Sequence, residues 1–150
     1  MTPLSSPRTA ASTTPDFVVG DFDSITGDHP TQNDRTIALP SEKDDPDLLS
    51  ALKIGWLRGA RTFHIYGALG GRIDHTISNI QLMALLADRG ATGYLHGDGS
   101  IVTAICDGAL DFPADDAVAG RMVSVFSHSD ISTGVSETGL KYELHHADMS

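Results

Sequence analysis

The sequence predicts an α/β fold: a parallel-sheet domain followed by the start of an all-β domain. Three observations predict it. Between Phe17 and Ile105, short apolar runs alternate with stretches of helical period, the texture of strands joined by crossover helices. After Cys106, residues 122–126, 131–135 and 140–144 form short alternating runs parted by Gly, Ser, Asp and Thr, which is all-β patterning. Acidic or glycine-rich patches follow or flank the strands of the first part, and open α/β sheets bind ligands beyond the carboxyl ends of their strands. The expected division is an unstructured leader over 1–15, an α/β domain over 16–105 and a partial β-domain over 106–150.

Each element has a local cause. Residues 1–15 are rich in Ser, Thr, Ala and Pro and have no apolar h-region, so they read as a disordered leader and not as a signal peptide. Residues 17–20 make a short buried strand, and 26–32, with Gly27 and Pro30, a loop. Residues 36–39 form a short strand closed by Pro40. A helix starts near Pro46, with Asp45 as N-cap, Pro46 at the first helical position and Asp47 favouring the helix dipole. Leu49, Leu52 and Trp56 repeat at helical spacing as core positions, and Gly59 stops the helix. Residues 62–66 are a strand that ends in Gly67-Ala68-Leu69-Gly70-Gly71. The next helix runs to about Asp88, with Ile73, Ile77, Ile80, Ala84 and Ala87 as its apolar face and Gly90 at its end. Residues 94–95 and 101–105 are strands around the turn signal Gly97-Asp98-Gly99.

The bulk properties exclude several classes of function. The chain has 150 residues, 40% hydrophobic and 20% charged, and a formal net charge of −10. Such an acidic chain argues against non-specific nucleic-acid or anionic-membrane binding, both of which need clustered Lys and Arg. It leaves a phosphate ligand open, because a divalent cation supplies positive charge locally. No run approaches the ~20 apolar residues that cross a bilayer. The lone cysteine, Cys106, rules out an intramolecular disulfide and suits a reducing, cytoplasmic compartment; its expected role is that of a small hydrophobe beside a strand.

Chemistry concentrates in three patches. In Val18-Val19-Gly20-Asp21-Phe22-Asp23-Ser24-Ile25, a buried strand runs into two carboxylates one residue apart. Residues i and i+2 of an extended chain share a side, so Asp21 and Asp23 face one space, where their repulsion calls for a cation. Hard oxygen ligands suit Mg²⁺, which keeps several waters and bridges to substrate phosphates. The second patch is Glu42-Lys43-Asp44-Asp45-Pro46-Asp47 at a helix start; a charge run of this kind taken alone is as well explained as a solvated face or a cap. The third is Gly70-Gly71-Arg72-Ile73-Asp74-His75 at a strand-to-helix junction. Helix N-termini attract anions, glycines admit close backbone approach, and Arg72 has the fork to hold a phosphate bidentately. His75 and Asn79 lie four apart on one helical face, where they share a ligand or a capping role; Asp74 is an alternative N-cap.

These residues carry a family resemblance. Pro15-Asp16-Phe17-Val18-Val19-Gly20-Asp21-Phe22-Asp23-Ser24-Ile25 resembles the G-D-F-D-S signature of thiamine pyrophosphokinases. Glu42 to Asp47 resembles their [DE]-[KQ]-D-x-T-D motif, Gly67 to Asn79 their G-x-x-G-G-R-x-D-H-x-x-x-N motif, and Thr138-Gly139-Leu140-Lys141-Tyr142 a G-L-K-Y strand of their C-terminal β-domain. The resemblance implies an α/β nucleotide-binding domain followed by a β-sandwich, in a homodimer. It implies that ATP transfers a diphosphoryl group to thiamine, giving thiamine diphosphate and AMP, with Mg²⁺ as cofactor. By position, Asp21, Asp23, Asp44 and Asp47 would bind Mg²⁺ and the phosphates, Ser24, Gly70 and Gly71 would contact phosphate, and Lys43 and Arg72 would neutralise it. Asp74, His75 and Asn79 would line the same cleft, and either Asp74 or Asp44 would accept the hydroxyl proton.

The chain departs from the family pattern in three places. Pro46 stands where the family has Thr, the low-complexity 1–14 replaces a strand and an A-D-G-G turn, and the chain stops before a final strand with a Ser-Asn pair associated with thiamine. The expectation is therefore a chain truncated at both ends. Two other functions compete with catalysis: a non-catalytic Mg²⁺-nucleotide-binding fragment of the same family, and a D-x-D phosphatase of the haloacid dehalogenase type. The phosphatase reading lacks a matching downstream Lys-plus-acid pattern and leaves G-G-R-x-D-H unexplained.

Overall fold

The structure, a computed structural model, describes residues 15–20, 22, 36–38, 46–97, 99–112 and 121–150. Residues 1–14 of the expected leader over 1–15, together with Asp21, Asp23, Lys43, Asp44 and Asp45, lie outside the described residues. The described elements mix α and β, and the chain divides into two units, Met1–Ala60 and Arg61–Ser150. No helix among the described residues is long and apolar enough to cross a membrane.

In the first unit, β1 (Val18–Gly20) pairs in parallel with β2 (Thr36–Ala38), Val19 opposite Ile37. Parallel neighbours need a crossover connection, as the α/β reading requires. Helix α1 (Asp47–Leu57) follows and packs on β1, with Leu52 buried. Its start corrects the expected cap. Pro46 is the N-cap, with φ −58° and ψ 149°, and sits outside the first helical position. An extended ψ is what a capping residue adopts, and the carbonyl of Pro46 already accepts the first helical bond from Ser50 N–H at 3.1 Å. The end is as expected: Gly59 turns at φ +93°, its N–H bonds to Trp56 O at 2.9 Å, and Ala60 N–H bonds to Gly55 O at 3.0 Å. That pair of bonds satisfies carbonyls the helix leaves open. The guanidinium of Arg58, at the helix cap, lies 3.9 Å over the Phe17 ring.

The second unit is organised around β3 (Thr62–Tyr66), α2 (Ile73–Asp88), β4 (Thr92–Gly97) and β5 (Ser100–Thr103). β3 and β4 are parallel, His64 opposite Tyr94, and β5 adds antiparallel to β4. β4 is longer than the expected 94–95, and β5 stops at Thr103, short of 105. Cys106 lies beyond β5 and is exposed, which corrects its expected role as a packed small hydrophobe.

The core of this unit corrects the expected face of α2 except at Ala87, which is buried as expected. Leu82, Met83, Leu86 and Ala87 are buried, with Ala91 and Leu95 opposite; Met83 and Leu95 are 1% and 0% exposed. Ile73, Ile77 and Ile80 are 72%, 52% and 37% exposed. The two stripes lie about a third of a turn apart on a helix of 100° per residue. The partner strand decides between them. Gly93 in β4 has no side chain, and a Cβ there would stand 2.5 Å from Met83 Sδ and 2.8 Å from Leu86 Cδ1. That hollow receives Met83 and Leu86 and so fixes the rotation of the helix.

β6 (Ser132–Glu137) and β7 (Leu144–Met149) form an antiparallel pair with register shifts around Val135. Side chains make bonds beside the irregular register: Asp148 Oδ1 accepts from Gly134 N–H at 3.3 Å, and Ser136 Oγ from His146 N–H at 3.1 Å. Two expected strands are absent. Residues 122–126 carry no strand pairing, and Met122 and Phe126 are exposed. Residues 138–143, with Gly139-Leu140-Lys141-Tyr142, form the turn between β6 and β7, where Glu143 Oε1 accepts from Gly139 N–H at 2.7 Å. Gly139 adopts φ +76°, a turn conformation that ends a strand.

Candidate phosphate-binding loop

The β3–α2 junction is the candidate site that the described residues build. β3 delivers the chain to Gly67, and the turn runs through three glycines with positive φ: Gly67 at +73°, Gly70 at +85° and Gly71 at +70°. A Cβ at any of these would strain the backbone. The turn reverses the chain so that α2 begins at Ile73, with its first backbone N–H groups directed back along the helix axis. Arg72 is the N-cap, at φ −70° and ψ 122°, and makes no side-chain cap bond. This corrects the alternative in which Asp74 capped the helix; Asp74 stands in the first turn. Thr76 N–H and Thr76 Oγ1 both donate to Arg72 O, at 3.2 and 3.4 Å.

Arg72 and Asp74 form a two-point fork. Arg72 Nε donates to Asp74 Oδ1 at 3.1 Å and Nη2 donates to Oδ2. Both side chains are exposed. The Arg72 hydrogen bond, helped by the His75 backbone N–H and by Arg72 and His75 charge, holds the Asp74 carboxyl below the usual carboxylate range, against some desolvation. The same hydrogen bond, with the Asp74 charge, pushes the Arg72 guanidinium up. Asp74 therefore stays ionised at neutral pH and orients the guanidinium at the mouth of the helix, and Arg72 Nη1 lies outside the fork.

Two supports hold the loop. Asn79 Nδ2, a turn and a half into α2, donates to Ala68 O at 2.9 Å. Leu69 leans on the end of β4: a Cβ on Gly97 would meet Leu69 Cβ at 2.8 Å. Asn79 is thus occupied by its own loop, and His75, four residues earlier, is exposed. The sequence marked Gly97 only as part of a turn and did not mark Ala68 or Leu69; no spacing in the sequence signals a contact that depends on where the loop folds back.

The remaining expected site residues divide simply. Gly70, Gly71, Arg72, Asp74, His75 and Asn79 come together at this junction. Asp47 stands in the first turn of α1, in the other unit. Asp21, Asp23, Ser24, Lys43 and Asp44 lie outside the described residues. Among the described residues, no three His, Cys, Asp or Glu side chains gather as metal ligands.

Similar proteins sharpen this picture. The family model described as "Thiamin pyrophosphokinase, catalytic domain" matches residues 6–95, more than half of the chain. The chain is 27% identical over 138 residues to Thiamin pyrophosphokinase 1 of Caenorhabditis elegans, covering 87% of this chain and 56% of that one. It is 27% identical over 135 residues to Thiamine pyrophosphokinase of Bacillus subtilis (strain 168), covering 87% and 62%. The crystal structure of the thiamin pyrophosphokinase from Geobacillus thermodenitrificans resembles it with a TM-score of 0.66 at 25% identity, over 91% of this chain and 63% of that one. The chain thus spans about six-tenths of the length of these relatives. A glycine turn with an arginine fork at a helix mouth, inside a match of this extent, places the chain in the thiamin pyrophosphokinase family, by its catalytic domain.

Proposed function

We propose that the chain acts in thiamine diphosphate synthesis, transferring the diphosphoryl group of ATP to the thiamine hydroxyl with release of AMP. The observation that carries this reading is the β3–α2 junction: three glycines at positive φ, an uncapped helix N-terminus and the exposed Arg72 guanidinium. The helix dipole and first-turn N–H groups favour phosphate oxygens, and Arg72 adds positive charge, with Nη1 outside its two-point fork to Asp74. Phosphoryl-group transfer is largely positioning and charge neutralisation, so a rigid anion-binding turn is the part of the catalyst it most needs.

Within this reading each residue has a role. Gly70 and Gly71 let the backbone approach the phosphates, and Arg72 neutralises their charge. Asp74, ionised and forked to Arg72, acts as the positioning residue for it. Either Asp74 or Asp44 would accept the hydroxyl proton. Asn79 holds the loop, and His75 lines its edge. The donor chemistry of Asp21, Asp23, Asp44 and Asp47 is hard carboxylate oxygen, which fits Mg²⁺. Bound there, the ion would offset the phosphate charge. Ser24 and Lys43 would complete the phosphate contacts. The reading carries with it a homodimer in the cytoplasm.

A second reading is a Mg²⁺-nucleotide-binding protein without thiamine transfer, which the glycine turn and the exposed Arg72 guanidinium would serve equally well. One incubation separates them. With ATP, Mg²⁺ and thiamine, catalysis yields AMP and thiamine diphosphate in equal amounts by chromatography. Folded protein that binds Mg²⁺-ATP by calorimetry but yields neither product supports the alternative.

A further inference from the structure

The face of β3 and β4 opposite α2 carries a ladder of four rings that the proposed reaction does not use. In the parallel register His64 stands opposite Tyr94, and Tyr66 opposite His96. Each histidine stacks on a tyrosine of the other strand: His64 on Tyr94 with centroids 5.0 Å apart and planes 14° apart, and His96 on Tyr66 at 4.5 Å and 13°. Between the stacks the two imidazoles meet nitrogen to nitrogen, His64 Nδ1 to His96 Nε2, at 3.0 Å. His64 and Tyr66 are exposed, and His96 and Tyr94 half-buried, so the pair opens to solvent.

We propose that His64 and His96 form a two-histidine site for a divalent transition-metal ion, Cu²⁺ above all, distinct from the carboxylate chemistry proposed for Mg²⁺. Imidazole nitrogen is a donor for Cu²⁺, Ni²⁺ and Zn²⁺ and a poor one for Mg²⁺. Among these divalent ions Cu²⁺ binds a given nitrogen site most tightly. The flanking tyrosines keep both imidazoles side by side on one face of the sheet, so a turn of each ring within its stack presents both nitrogens to one ion. Water fills the other positions.

Binding replaces the shared proton without net release. In the neutral pair, one of the two facing nitrogens carries the proton and the other accepts it. As each ring turns its nitrogen toward solvent to meet the ion, that proton passes to the second nitrogen of the same ring. Both facing lone pairs are then free to ligate.

The test is titration of the full chain with Cu²⁺ alone, read by calorimetry and by paramagnetic loss of ring signals in NMR. The expected result is a first equivalent that erases the His64, His96, Tyr66 and Tyr94 ring signals. His64→Phe and His96→Phe keep a ring in each stack while removing the nitrogen, and each should weaken that equivalent at least tenfold. His64→Gln, with circular dichroism as a check on folding, guards against a repacking artefact. His128→Ala, on an exposed histidine elsewhere, should leave the equivalent unchanged. A first equivalent of unchanged affinity in the Phe and Gln variants, or no uptake by the wild-type chain, overturns the proposal.

Discussion

In the β3–α2–β4 region, Met83 and Leu95 are sealed from solvent and a missing side chain at Gly93 makes room for the helix. In the β6–β7 pair every residue keeps at least partial exposure, the register shifts twice, and Asp148 and Ser136 bond to the backbone of the opposite strand beside those shifts. The first region is held by packing and the second by pairing and polar side chains. A two-stranded hairpin alone is marginal in water, whereas a helix buried on a sheet has a core. The contrast shows why the candidate site sits where it does: the glycine turn is anchored at both ends by packed elements, through Leu69 on Gly97 and Asn79 on Ala68.

The largest expected effect tests the packing directly. Leu95→Ala should destabilise the chain by about 2–5 kcal/mol in urea unfolding, because it opens a cavity in a fully buried position. A loss no larger than a surface substitution gives would erase the contrast between the two regions. Gly97→Ala comes next. Its new Cβ would meet Leu69 Cβ at 2.8 Å, and neither atom can swing aside on a flexible chain, so the loop must shift at about 1–3 kcal/mol. The same variant should lower product formation more than Leu95→Ala does at matched folded fractions, because it moves the glycine turn at the proposed site. Asn79→Ala leaves the Ala68 carbonyl unpaired and should cost about 0.5–1.5 kcal/mol, with faster amide exchange confined to 67–72.

A smaller effect tests the rotation of α2. Ile77→Lys should change stability by no more than about 0.5 kcal/mol, since Ile77 is exposed, whereas the apolar face expected from the sequence would make it costly. The smallest effect concerns protons. Arg72→Ala should raise the Asp74 titration, followed by carboxyl NMR, back toward the ordinary carboxylate range. The sign follows from the lowered value: whatever the ionised Asp74 contributes is present above its unfolded pKa and lost as pH falls through the folded one. An unmoved titration would mean that the fork does not hold the carboxylate.

These corrections show what the sequence could and could not carry. The ends of α1 and α2 were legible because Pro46, Gly59 and Gly90 act within a residue or two of themselves. The glycines and charged residues of the β3–α2 turn were legible for the same reason. The rotation of α2 was not, because its C-terminal half is apolar on more than one side and the choice belongs to Gly93 on another strand. Likewise Arg72 and Asp74 were legible as ligand-binding types, but the fork between them needs the turn that sets them side by side. The strands expected at 122–126 and 140–144 had the right alternation, yet alternation does not supply a pairing partner.

The central claim is that the β3–α2 junction is an anion-binding turn serving nucleotide phosphates. Amide NMR of the full chain during titration with Mg²⁺-ATP tests it most directly, with the β6–β7 pair as internal reference. The account predicts that Gly70, Gly71 and the first-turn amides 73–75 shift together and saturate, that β6 and β7 do not, and that Arg72→Ala weakens the saturation at least tenfold. Shifts absent from the junction, or equal in Arg72→Ala and wild type, would contradict it.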